Sequence, residues 1–167
     1  MGLIEYETMS RDALDVGELR AFYQGQSHPT TDSDDKLRLM VERSDCFVMA
    51  REDGRLIGLA RGMSDGVRGW LAECKLEPGH QGPAAVTRTD GRIEHDDRCI
   101  ARELAMRVLE RLRDEGVEEI HVTAHGTEED FCFDLGFRKM RGVVAMQMDA
   151  KSLSQTSSVA CAGGQVL

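Results

Sequence analysis

The residues with most chemistry to offer lie between Lys75 and Leu112, in "KLEPGHQGPAAVTRTDGRIEHDDRCIARELAMRVLERL". The stretch begins as a strand and ends as a helix. A strand that enters a helix through a glycine-bearing turn presents free amides to an anion, most often a phosphate. Here the turn is too long for a simple phosphate loop, and Asp96 and Asp97 stand directly before the helix. Both suit an N-cap. A carboxylate in that role takes the amides a phosphate would use and repels the phosphate, although Arg98 and Arg102 offset part of the charge. His80 and His95 with Asp96 and Asp97 are the one group that invites a metal; loop histidines are usually solvated, and no metal is expected. The five cysteines, Cys46, Cys74, Cys99, Cys132 and Cys161, form no CxxC pair, so a zinc knuckle is not indicated. No histidine stands at a telling spacing from Cys74 or Cys99, which leaves nucleophilic catalysis by either without a base.

The elements that must position these residues follow from periodicity. "LIEYETM" alternates as a first strand, and "SRDALDVGELRAFYQGQ" reads as a helix with Ser10 as N-cap. A second short helix follows, capped by Asp32 or Ser33, with Leu37, Met40 and Val41 at helical spacing. From Cys46 to Leu76 the period changes to that of strands. Asp53-Gly54 marks one hairpin and "SDG" at Ser64–Gly66 a second turn, giving an antiparallel meander that Pro78 stops. Residues 98–115 are the clearest helix, with Ala101, Leu104, Ala105, Val108, Leu109 and Leu112 at steps of three and four. Gly116 ends it. "VEEIHVTA" is a strand that makes a parallel β–α–β unit. "TEEDFCFDL" is a short helix capped by Thr127, and "FRKMRGVVAMQMD" is a closing strand. The predicted order is β-α-α-β-β-β-α-β-α-β, an α/β (mixed α+β) class with helices on both faces of a mostly antiparallel sheet. Residues 1–149 make one domain, with 83–97 an inserted loop and 150–167 a polar, flexible tail.

The totals limit the function. The chain has 167 residues and a formal net charge of -9, which argues against a broad nucleic-acid surface. No apolar run approaches the ~20 residues of a membrane span, and the acidic start is unlike a signal peptide. Free thiols fit a reducing cytoplasm.

The element order and five local stretches resemble the GCN5-related N-acetyltransferase (GNAT) superfamily. They are "RLIGLARGMSDG", "ECKLEPGHQG", "RCIARELAMRVLERL", "DFCFDLGFRKM" and "GVVAM". The first is similar to a subgroup with an "A-R-x-x-S-D-G" third-strand motif. The resemblance covers roughly residues 3–149. It implies an acyltransferase that moves an acetyl group from acetyl-CoA to a primary amine of a small molecule or amino-acid-like acceptor, with no metal, no nucleic acid and no membrane. It implies a homodimer as well. The runner-up is a catalytically weakened member that binds a ligand or partner.

The same resemblance implies roles. Two strands splay at a bulge and hold the pantetheine arm against Cys74, Lys75 and Leu76. The pyrophosphate rests on amides from Gln81 and Gly82 to Arg98, Cys99, Ile100, Ala101 and Arg102. Glu73 matches the acid that takes the amine proton, directly or through water, its alternative being an ordinary solvent-facing strand acid. His121 and His125 are backups for it, although His121, with an apolar neighbour on each side, also suits a structural role. Cys132 stands where a tyrosine normally returns a proton to the departing thiolate; the alternatives are a buried, inert thiol, with the proton coming from water or Tyr23. Arg61, Ser64, Asp65 and Phe131 face the acceptor side, although Ser64 and Asp65 also suit a plain turn. Trp70 lines or supports the cleft. Two departures bear on the cofactor. Residues 83–97 separate "HQG" from "RCIAR", and Cys99 replaces a glycine. The insert loops out, folds over the site, or abolishes the cradle.

Overall fold

The computed structural model describes residues 2–26, 29–82, 96–124 and 128–153. Its elements are β1 (Ile4–Thr8), α1 (Val16–Gln24), α2 (Asp34–Glu42), β2 (Cys46–Glu52), β3 (Arg55–Ser64), β4 (Arg68–Leu76), α3 (Ile100–Asp114), β5 (Glu119–Val122) and α4 (Glu128–Asp134), with short 3-10 turns at Arg11–Ala13, Pro78–His80 and Ala150–Ser152. The five strands stand in chain order. The first four pair antiparallel, and β5 joins β4 parallel after the α3 crossover. This is the expected mixed, mostly antiparallel sheet.

Turn chemistry sets the meander. Asp53 and Gly54 have φ of 51° and 79°, the two positive values of a type I′ hairpin. At the next turn Asp65 Oδ1 accepts from the amides of Val67 and Arg68 at 2.9 and 2.6 Å, and Ser64 Oγ accepts from Gly66 at 2.9 Å. Side chains alternate across the sheet as the strand period requires. Cys46, Val48 and Ala50 of β2 face α3, while Phe47 and Met49 face α1 and α2. On α3, Ile100, Ala101, Leu104, Ala105, Val108 and Leu112 are fully buried. Each large member contributes about 1.5–3 kcal/mol of burial, and Leu104→Ala would cost about 2–5 kcal/mol. The helix lies very close to β3: a Cβ on Gly62 would stand 2.7 Å from Val108 Cγ1, and one on Gly58 2.9 Å from Leu104 Cδ1.

Two expectations change. Ser10 makes no side-chain cap and precedes only the 3-10 turn; Asp15 caps α1, accepting from Gly17 and Glu18 at 2.9 and 3.1 Å. The buried stripe Val16, Leu19, Phe22 and Tyr23 begins after Asp15, so the helix starts where its packing starts. Ser33, one of the two anticipated caps, does cap α2. The closing strand over 137–149 does not join the sheet. Only a turn at residues 141–142 breaks an irregular path, and Val144 and Met146 are 79% and 93% exposed. β5 is an edge strand of the sheet, and residues 138–145 line a cleft beside it without forming a ladder with it. The Thr127 cap, most of the insert (83–95), His95, His125 and the tail from 154, with Cys161, lie outside the described residues. No helix among the described residues is long and apolar enough to cross a membrane.

Candidate active site

The site begins with one extra residue in β4. Arg61 and Gly62 are consecutive on β3, but their partners on β4 are Glu73 and Leu71. Ala72 is therefore a bulge, which kinks the strand and resets which side each following residue faces. Leu71 points toward α3, and so do Cys74 and Leu76 rather than Glu73. The pairing of β4 with β5 ends at the same place, at Leu71 and Val122. Beyond it the two strands part, and a cleft of about 290 Å³ opens between Leu71–Lys75 on one wall and Val122, Thr123, Glu128, Phe131 and Cys132 on the other.

Glu73 turns away from α3. Arg61, its cross-strand partner, donates from Nε to Oε2 at 2.8 Å, with the two side chains 19% and 11% exposed. Tyr23 of α1 lies close to the same carboxylate. Burial pushes its phenol above the usual range, and the charge of Glu73 and a hydrogen bond to it push further. The Tyr23 hydroxyl also approaches Met40 Sδ at 3.8 Å. The guanidinium predicted to meet a substrate carboxylate is thus already paired within the chain. Ser64 and Asp65 spend their side-chain oxygens on the β3–β4 turn. Phe131 is 5% exposed and packs in the core beside the cleft.

Two thiols line the cleft. Cys74 sits 3.5 Å from the Ala101 carbonyl; burial raises its pKa, with Glu128 and Glu73 adding to the effect. Cys132 is 6% exposed and is pushed up to about 11, first by burial and then by Glu128 and Glu129. A thiol at that value is a weaker acid than an ordinary one near ~8.5, so handing its proton to a departing thiolate runs uphill.

The split turn is closed by a residue the sequence did not single out. Glu52, at the end of β2, accepts from Arg98 Nη1 at 2.6 Å through Oε1, and its Oε2 lies 2.9 Å from His80 Nε2. One carboxylate thereby joins the residue before Gln81-Gly82 to the residue that opens the helical half. These contacts hold Glu52 down at about 2, His80 being the larger cause and Arg98 the next. Arg98 Nη2 also donates to the Gly2 carbonyl at 2.7 Å. Gln81 donates its side-chain amide to the Leu76 carbonyl at 2.8 Å, and Arg102 reaches the Asp134 carbonyl at 2.9 Å. Gly82 follows Gln81 at the edge of the described residues, half-buried. The two ends of the insert therefore lie side by side.

Two amides at the entry to α3, those of Arg98 and Ala101, are already engaged. Asp96 is 8% exposed; its Oδ1 accepts from the Arg98 amide and its Oδ2 from the Ala101 amide, both at 2.9 Å. Ile100 and Ala101 are fully buried behind them. Cys99 is exposed and adopts φ 57°, ψ 29°, the left-handed region that favours glycine. The glycine expected here thus also serves backbone geometry. No group of three potential metal ligands occurs among the described residues.

No family model and no curated protein matches the chain. Solved structures do. It is similar to a GNAT-family acetyltransferase of Streptococcus pneumoniae (15% identity, 88% of this chain and 100% of the other, TM-score 0.64). It is also similar to the aminoglycoside N-acetyltransferase AAC(6')-Iy in complex with CoA (15% identity, 89% and 96%, TM-score 0.62). A third is the aminoglycoside acetyltransferase meta-AAC0020 from an uncultured soil metagenomic sample, in complex with sisomicin (11% identity, 87% and 95%, TM-score 0.62). The five-stranded, mostly antiparallel mixed sheet and the four helices of the described residues are thus those of a chain with the GNAT acetyltransferase fold.

Proposed function

We propose that this chain is an N-acetyltransferase that moves an acetyl group from acetyl-CoA to a primary amine of a small molecule or amino-acid-like acceptor. One observation carries the reading: the bulge at Ala72 coincides with the end of β4–β5 pairing, so a strand-width cleft opens directly beside Glu73. An extended pantetheine arm fits such a cleft as a surrogate strand, along the backbone of Cys74, Lys75 and Leu76. Acetyl-CoA supplies the thioester. The neighbour bound to CoA supports its use.

Each residue then has a task. The amine must lose a proton as it attacks the thioester carbonyl, and Glu73 accepts it directly or through one water. Arg61 fixes the position of the carboxylate. Departure of the thiolate needs no strong acid, which suits a Cys132 thiol too weak to be one. The adenosine end rests on the split turn near Gln81, Gly82, Arg98 and Arg102. Glu73→Gln tests the assignment: amine-dependent release of the CoA thiol should fall about 100-fold, in the range of one general base. Wild-type turnover in that variant rejects Glu73 as the base.

A second reading has its own support. Asp96 holds the amides that a pyrophosphate would take. If it is not displaced, the chain is a weakened member of the fold that binds a ligand without efficient transfer.

A further inference from the structure

A second and larger cleft lies along β5. It holds about 800 Å³, within the range of small-molecule sites. Val122, Thr123 and Cys132 line both this cleft and the catalytic one of about 290 Å³, so the two spaces adjoin.

The path proposed for the donor leads to that junction. With the pantetheine arm along Cys74–Leu76, the thioester comes to the narrow end of the catalytic cleft, beside Glu73. There the gap closes, because Leu71 and Val122 pair. A chain that continues past the thioester has to leave the plane of the sheet. The side toward α3 is filled by the core cluster that includes Leu71, Val108 and Phe131. The other side is open. Trp70, next to Leu71, points there by strand alternation. It stacks on His121, its partner on β5, with planes 29° from parallel, and stays 36% exposed.

The lining beyond Trp70 decides what fits. Ile120, Phe133, Phe137, Met140 and Val143 make it apolar. Charges on its rim are paired with each other: Glu129 with Lys139, and Glu119 with Arg68 at 3.6 Å. Arg138 turns to the Phe137 carbonyl. A charged or hydroxyl-rich occupant would give up its water for few new partners, which is unfavourable. A plain alkyl chain needs no partner, and its burial is favourable.

We propose that this cleft takes the acyl group of the donor, so that the chain transfers medium-length alkanoyl groups from an alkanoyl-CoA in preference to acetyl. The transfer rests on the acyltransferase reading; the alkyl site rests on the adjoining clefts. The chemistry of the step is unchanged. The amine nitrogen bonds to the thioester carbonyl carbon, Glu73 takes the amine proton, the C–S bond breaks and CoA leaves as the thiolate. Acetyl uses the arm and the split turn alone and gains nothing from the second cleft.

Each CH2 removed from water should tighten binding about fourfold, the equivalent of about 0.8 kcal/mol. With about three buried, KM for octanoyl-CoA should lie about 60-fold below that for acetyl-CoA, with kcat similar. Trp70 is the sole tryptophan and reports on the alkyl chain directly. Octanoyl-CoA and octanoyl-pantetheine should change its emission saturably in the full chain, whereas acetyl-CoA and free CoA should not. Trp70→Ala should raise KM for octanoyl-CoA about tenfold more than KM for acetyl-CoA, and Trp70→Phe should recover most of the difference. Equal KM values for the two donors overturn the proposal, and so does emission unchanged by octanoyl-pantetheine or an equal rise of both KM values in Trp70→Ala. An emission change with 2-phenylethylamine and none with octanoyl-CoA overturns it in favour of the acceptor. A dimer seen by sedimentation, with emission insensitive to both, overturns it in favour of a second copy covering the cleft. A saturable change with octanoyl-CoA and no transfer to any amine keeps the alkyl site and rejects the transferase reading instead.

Discussion

Asp96→Ala should make the protein less stable and a better binder of acetyl-CoA at the same time. In the free chain the Asp96 carboxylate satisfies two amides at the start of α3, both at 2.9 Å and almost out of water. The N-cap of α3 is Cys99, which offers no side-chain cap, so Asp96 acts from further upstream; losing hydrogen bonds to a charged group costs about 1.5–3 kcal/mol. A loss of about 2 kcal/mol is expected, or roughly 4–8 °C in Tm for a chain of this size. The same change frees the Arg98 and Ala101 amides and removes a negative charge from the place where a pyrophosphate would sit. Acetyl-CoA should then bind about tenfold more tightly, which is about 1.4 kcal/mol, and should return most of the lost Tm at saturation. Calorimetry and thermal unfolding with two ligands separate the effects. S-acetylpantetheine lacks the pyrophosphate, and its affinity should not change. Equal shifts for both ligands, or weaker binding of acetyl-CoA, would refute the idea that Asp96 competes with phosphate. Asp96→Asn gives the same comparison with a smaller structural loss.

Other outcomes concern the thiols and the acid network. Cys132→Ala should keep turnover within about threefold, because a thiol near 11 contributes little as an acid at neutral pH; a loss beyond about 100-fold would restore Cys132 to the proton path. Peptide mapping after iodoacetamide treatment at pH 8 should find Cys132 largely unmodified, since the thiolate is the reactive form. Glu52 is held at about 2 against an ordinary 4.5. Its contribution to stability is therefore complete above pH 4.5 and is lost as pH falls toward 2. Urea unfolding should show Glu52→Gln to be less stable at pH 7 and to lose less on going from pH 4.5 to 2 than the wild type; parallel losses would remove Glu52 from the network.

Much of this fold is legible in local chemistry. Asp53-Gly54 announces its hairpin because few other pairs accept two positive φ values. The steps of three and four from Ala101 to Leu112 announce α3 because that face must be buried. What depends on distant partners is not legible. Nothing in "GWLAECKL" marks Ala72 as the extra residue, since the bulge is defined only by β3 lying opposite. Ser10 and Asp15 are equally good caps in isolation, and the packing of Val16 and Leu19 decides between them. Val143 to Met148 has the composition of a strand, yet it forms no ladder with β5, the edge strand whose cleft Val143 lines. The site follows the same division. The turn residues Ser64 and Asp65 are found by pattern, whereas Glu52 meets His80 and Arg98 across 28 and 46 residues of chain. Arg61 looks like a substrate anchor until Glu73 is seen beside it. The competition for amides at Asp96 is legible in the sequence, but its place is not: the helix begins at Ile100 with Cys99 as N-cap, and Asp96 reaches the Arg98 and Ala101 amides from upstream instead of capping the helix.

Equilibrium dialysis of labelled acetyl-CoA against the full chain bears most directly on the proposed activity. The cleft between β4 and β5 should give saturable binding of one acetyl-CoA per chain, and amine added afterwards should release free CoA with transfer of the label to the amine. No saturable binding up to millimolar acetyl-CoA would contradict the enzyme reading outright. Binding without transfer to any amine would leave a ligand-binding member of the fold in its place.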